Sequence, residues 1–117
     1  MLALQHKKLD VWKLGMNLVK AIYKLTKCFP KEEMFCLTNQ IRRAVISVPS
    51  NISEGASRKS KIERKRFYEI SRSSLVEIDT QIEIALLLEY VEIKNINDIE
   101  ELMSHLFSKL SRLIDNP

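Results

Sequence analysis

The chain has 117 residues, 45% of them apolar and 29% charged, with a net charge of +4 and only two glycines and three prolines. That length fits one small domain over residues 1–117, and so few turn residues exclude a many-stranded sheet in favour of long helices, giving an expected all-α fold class. No stretch reaches the roughly 18–20 apolar residues of a membrane span, and the N-terminal MLALQHKKLD lacks the apolar run of about 7–15 residues that a signal peptide needs. A cytoplasmic protein with no membrane partner is therefore expected.

The charge is unevenly spread. Residues 1–72 carry 16 Lys and Arg against 6 Asp and Glu, or +10, whereas residues 73–117 carry 3 against 9, or −6. A basic half attracts phosphate, and halves of opposite sign also attract each other between subunits. Cys28 and Cys36 form no CxxC pair and read as two reduced thiols beside a helix connection.

In chain order, Val11, Leu14, Leu18, Ile22 and Leu25 recur at helical spacing, and a second row of Trp12, Met16, Val19 and Tyr23 lies beside them. These predict a first helix from about Asp10 to Lys27, capped by the Asp10 carboxylate and making contacts on two sides. Pro30 ends that pattern, and Lys31-Glu32-Glu33 resembles the acidic first turn of a second helix. Its stripe is Met34, Leu37, Ile41, Ala44, Val45, Val48, Ile52 and Gly55. The spacing runs through Pro49, which predicts one helix bent there, with Ser47 and Ser50 helping to satisfy the freed backbone groups; the alternative is that Pro49 ends the helix.

Ser60 and Glu63 have the spacing of a capping box and start a third helix running to about Tyr90 or Val91. Its inner face is Phe67, Ile70, Ser71, Ser74, Leu75, Ile78, Ile82, Ala85 and Leu86. Ile84 to Leu88 is apolar all round, which points to a subunit interface in so short a segment. Asn97 looks like a further cap, before a last helix with the stripe Ile99, Leu102, Met103, Leu106, Phe107, Leu110, Leu113 and Ile114. Four helices with short connections predict an antiparallel up-down bundle.

Asp10-Val-Trp12, Leu37-Thr-Asn-Gln40-Ile-Arg-Arg43-Ala44, Ser47-Val-Pro49-Ser-Asn51-Ile-Ser-Glu54-Gly55, Arg66-Phe67 and Ser74-Leu-Val-Glu77 occur in this order. The pattern resembles the bacterial four helix bundle proteins also called 23S ribosomal RNA intervening sequence proteins, and the likeness covers roughly residues 7–92. The resemblance implies a four-helix bundle assembling as a homopentamer. It is also similar to the accessory variability proteins of diversity-generating retroelements, which implies nucleic acid and a reverse transcriptase as partners. Two positions depart from the pattern: Ser73 and Glu89 stand where the family usually has glycine.

The sharpest functional signal is the basic run Arg58, Lys59, Lys61, Arg64, Lys65 and Arg66, with Arg72 beyond it and Arg42 and Arg43 on the preceding helix. At ~100° per residue Lys61, Lys65 and Arg72 fall within about 40° of one another, a solvent-facing row whose spacing suits successive phosphates. The other reading is an ordinary solvated face, partly neutralised by Glu54, Glu63 and Glu69. Without an exposed aromatic cluster or a recognition-helix signature, binding to nucleic acid would be backbone-driven and weakly sequence-specific, and RNA is favoured over DNA only through the resemblance.

Asn51, Ser53, Glu54, Ser74 and Glu77 form a polar set near Pro49, either a small site or a network that fixes helix register, with Glu77 expected to pair with Arg42 or Arg43. Nothing calls for catalysis, a metal or a cofactor. The Glu-x-x-His pairs of di-iron bundles are missing, Glu101 and His105 are four apart, and His6 lies in the N-terminal tail. Glu77, Asp79 and Glu83 remain as a possible hard-cation face. The sequence therefore predicts a non-enzymatic, homo-oligomeric bundle that binds nucleic acid, with an oligomeric protein–protein adaptor as the alternative.

Overall fold

The computed structural model describes residues 1–117. Four helices make up the fold: α1 (Asp10–Thr26), α2 (Leu37–Ala56), α3 (Lys61–Leu87) and α4 (Ile93–Asp115), with short 3₁₀ turns at Gln5–Lys8 and Lys31–Glu33. No helix is long and apolar enough to cross a membrane. Each helix packs on two others, α1 and α3 both lying against α2 and α4. Ends meet in a regular way: Arg42 near the start of α2 bonds Thr26 at the end of α1, Arg64 near the start of α3 bonds Pro117 beyond the end of α4, and Asp10 reaches Lys109.

The core follows most of the predicted stripes, but Ile70 on α3 and Phe107 on α4, both expected inside, are exposed. Leu18, Ile22, Ile41, Val45, Val48, Ile52, Ile78, Leu106 and Leu110 are fully buried, and each such side chain contributes about 1.5–3 kcal/mol of transfer free energy. The row Trp12, Val19 and Tyr23 is only half-buried and Met16 is exposed, so α1 keeps an apolar margin on its α2 side.

Several helix ends differ from the sequence reading, each for a local reason. α1 takes its N-cap from Leu9, whose side chain offers no acceptor, and Asp10 sits in the first turn, where a carboxylate still favours the positive end of the dipole. Lys31–Glu33 forms its own 3₁₀ turn and α2 begins only at Leu37, which leaves Met34 outside the stripe and exposed. α4 starts at Ile93 rather than after Asn97, because the Glu92 N–H donates to Asn95 Oδ1 at 2.8 Å and closes the first turn earlier. Ser60 does cap α3, accepting from the Glu63 N–H at 3.1 Å.

α2 is one helix through Pro49. Hydroxyls gather around that position: Ser71 Oγ donates to the Val48 carbonyl at 2.9 Å across the α2–α3 seam, and Ser53 Oγ donates to the Pro49 carbonyl at 3.0 Å. Ser47 bonds Asn51 and Ser74 instead of a backbone group of this turn, and Ser50 is exposed.

α3 stops at Leu87, short of Tyr90, because the chain turns left-handed: Glu89 has φ 62°. The Tyr90 N–H bonds the Ala85 carbonyl and the Glu89 N–H the Leu86 carbonyl, the paired bonds of a Schellman ending whose left-handed position ordinarily takes glycine. A side chain there costs about 1–2 kcal/mol. Glu89→Gly should therefore raise stability by about 1 kcal/mol in urea or thermal unfolding, net of the greater freedom glycine gives the unfolded chain; an unchanged or lower midpoint would contradict that.

Candidate nucleic-acid interface

The α2–α3 junction sets the geometry of the basic run. Gly55, the penultimate residue of α2, is buried against Tyr68 and Phe67: a Cβ added there would lie 2.7 Å from Tyr68 Cε1 and 3.1 Å from Phe67 Cβ. Only glycine lets α3 approach this closely. Tyr68, 3% exposed, thus locks the first turns of α3 onto α2, and burial pushes its phenol above the usual range while Arg64 pulls it down. Tyr68 also interrupts the predicted cation row, filling the stretch between Lys65 and Arg72 with a buried ring.

The nine predicted cations separate by environment. Arg64 is a brace: Nε donates to the Pro117 carbonyl at 2.8 Å, and Nη1 donates to the carbonyls of Arg58 at 3.0 Å and Lys59 at 2.7 Å. Arg42 donates to Thr26 Oγ1 and lies 4.6 Å over the Tyr23 ring. Arg72 donates to Ser111 Oγ and lies 5.5 Å over Phe107. Arg58 pairs with Glu54 at 3.3 Å and stacks 4.9 Å over Phe67.

The remaining ion pairs are Lys94–Glu92 and Lys109–Asp10, so neither Glu63 nor Glu69 forms an ion pair with the run. Lys59, Lys61, Lys65 and Arg66 are exposed and have no acidic partner. They sit together on the α2–α3 connection and the first turns of α3, held in place by Gly55, Tyr68, Ser60 and Arg64. Arg43 is also exposed and unpaired but stands on α2, more than three turns from the junction.

Removing the Arg64 brace should loosen this platform without removing a phosphate contact. Arg64→Ala is expected to cost about 1–3 kcal/mol, the net scale of hydrogen bonds made by a charged donor, because three carbonyls lose the guanidinium that ties their segments together. Arg64→Lys should recover little, since an ammonium cannot serve carbonyls from separate segments with a fixed fork. Denaturant unfolding reads both, and a neutral Arg64→Ala would contradict the assignment.

The polar set of the sequence is brought together only in part. Asn51 Nδ2 donates to Ser47 Oγ and to the Ser47 carbonyl, both at 2.8 Å, and Ser47 Oγ lies 2.9 Å from Ser74 Oγ. Ser53 bonds only Pro49, Glu54 belongs to Arg58, and the expected pairing of Glu77 with Arg42 or Arg43 is replaced by a 3.3 Å bond from Gln81. No group of three or more His, Cys, Asp or Glu is placed to hold a metal ion, so Glu77, Asp79 and Glu83 do not converge.

At the far end of the bundle lies an apolar surface. Of Ile84 to Leu88, Ala85 is buried and Leu86 half-buried, but Leu87 is 80% exposed. Phe35 stands 89% exposed in the α1–α2 connection, which approaches the α3–α4 connection: Glu33, Glu32 and Cys36 all act on Tyr90, whose phenol is raised first by burial and then by them.

The fold and this junction define an all-helical, four-helix protein with an unpaired basic corner. The model of the 23S rRNA-intervening sequence protein family matches residues 7–112, and the chain belongs to that family. Comparison with curated proteins returns no match.

Proposed function

We propose that this protein is a non-enzymatic, homo-oligomeric helical bundle of the cytoplasm that binds nucleic acid, RNA ahead of DNA, through Lys59, Lys61, Lys65 and Arg66. The carrying observation is that these four cations share one corner and none has an acidic partner. The family's description adds a link to ribosomal RNA. Cations on successive turns meet phosphates and release counterions, and no exposed aromatic ring stands among them to stack on bases, so the binding follows backbone charge and is weakly sequence-specific. In this reading the helices run up and down in antiparallel order, α2 bends at Pro49 where the ring crowds the Val45 carbonyl, and the copies assemble as a ring, the pentamer implied by the family resemblance.

Titrating a labelled RNA with protein at several salt concentrations tests it. Four phosphate contacts per subunit give log K falling with log salt at a slope of about −3.6 on duplex and about −2.8 on a single strand. A slope near zero, or no binding at ~50 mM salt, overturns the proposal.

A second reading, an oligomeric adaptor for a reverse transcriptase or another protein, is favoured by the exposed Phe35 and Leu87 at the opposite end. It expects no RNA binding at all, so the same titration separates the two.

A further inference from the structure

Two sides of the bundle away from the basic corner fit each other. Since α1 and α3 each pack on α2 and α4, the outer α1–α2 surface and the outer α3–α4 surface lie on opposite sides of the molecule. Between α3 and α4 runs a groove of about 350 Å³. Its floor includes Leu75, Ile82 and Met103, all members of the core. Its rim carries Asp79, Glu83 and Glu100, each exposed, and no cation lines it.

The opposite side has the complementary make-up. Met16 and Ile46 are exposed beside a shallow depression walled by Trp12 and Pro49. Lys13 and Lys20 lie within about 60° of Met16, and Arg43 within about 60° of Ile46, at ~100° per residue. All three cations are exposed, and none pairs with an acid of its own chain.

We infer that a second copy of this chain fills the groove: Met16 and Ile46 of one copy seat over the apolar floor of the next, and Lys13, Lys20 and Arg43 meet the carboxylates of Asp79, Glu83 and Glu100. The inference rests on the homo-oligomer reading above and names the faces that make it. Apolar contact supplies the attraction, while the charged rim sets register and opposes like pairing, because groove on groove would bring six carboxylates together. The contact is heterologous, leaving every copy one groove and one ridge, so it repeats from copy to copy and closes a ring where the rotation between neighbours completes a full turn. None of Lys59, Lys61, Lys65 and Arg66 lines either surface, and all four remain available to a ligand.

Light scattering on charge-reversed proteins tests the pairing, with far-UV circular dichroism verifying that each is folded. The wild type should have a mass several times the 13.7 kDa chain. Asp79→Lys/Glu83→Lys/Glu100→Lys and Lys13→Glu/Lys20→Glu/Arg43→Glu should each fall to the monomer mass, and an equimolar mixture of the two should associate again. A wild-type oligomer whose mass survives both sets of reversals, or reversed proteins that stay apart on mixing, overturns the inference and leaves the homo-oligomer reading standing. A monomeric wild type overturns both.

Discussion

Replacing Lys59, Lys61, Lys65 and Arg66 together by alanine should abolish salt-dependent RNA binding while leaving the bundle folded. All four side chains are exposed and make no hydrogen bond or ion pair with acids of the chain, so their loss touches no internal contact. Surface substitutions of this kind usually stay within about 0.5 kcal/mol. The expected loss is large because the contacts act together: at a slope of about −3.6, binding weakens by roughly 10²-fold between 50 and 200 mM salt, and removing all four takes the slope towards zero. Alanine at Arg42 and Arg72, which already bond Thr26 and Ser111, should leave the slope nearly unchanged. A four-alanine protein that keeps the wild-type slope would move the binding surface elsewhere.

Gly55→Ala should be the more damaging of the two glycine-to-alanine changes in the chain. Alanine is the better helix former by about 1 kcal/mol, and on propensity alone the substitution would stabilise α2. The added Cβ would instead meet Tyr68 Cε1 at 2.7 Å, Tyr68 Cδ1 at 3.0 Å and Phe67 Cβ at 3.1 Å. Tyr68 is buried and Phe67 Cβ moves only with the α3 backbone, so relief means pushing the two helices apart, a cost of about 1–3 kcal/mol. Urea unfolding should register the loss, and Tyr68→Leu should be less costly in the Gly55→Ala background than in the wild type, since the two changes share one contact. The same displacement moves the Ser57–Ser60 connection that carries Lys59, so RNA affinity should fall with stability. Gly15→Ala gives the contrast, because its nearest atoms lie at 3.4 Å, at ordinary packing distance. Equal effects at both glycines would refute this account of the junction.

The helical stripes were legible because burial follows the 3.6-residue period: Leu37, Ile41, Ala44, Val45, Val48, Ile52 and Gly55 are all buried on one face of α2 as their spacing requires. Helix ends were less so, since they are fixed by single hydrogen bonds. Asn95 capping back to Glu92 starts α4 early, and the left-handed Glu89 stops α3 at a position marked only by the glycine usual in the resembling family, not by its own residue type.

The basic run could be read from composition, but which of its members are available could not, because that depends on partners distant in sequence. Arg64 spends its guanidinium on Pro117, and Arg72 on Ser111. Tyr68 was missed although it lies seven residues before Leu75 and so continues the buried face of Ser71, Leu75, Ile78 and Ile82; Phe67, one residue earlier, stood in its place in the predicted stripe and is only half-buried. Glycine at the end of a core stripe, facing an aromatic pair across a tight connection, was the available signal.

The central claim, that the corner formed by the α2–α3 connection and the start of α3 holds nucleic acid, is tested most directly by photocrosslinking bound RNA to the protein at ~50 mM salt and mapping the attached residues by mass spectrometry. Crosslinks confined to the stretch from Arg58 to Arg66 are predicted. Crosslinks concentrated at the opposite end, around Phe35 or Leu87, or none above the level of the four-alanine protein, would contradict it.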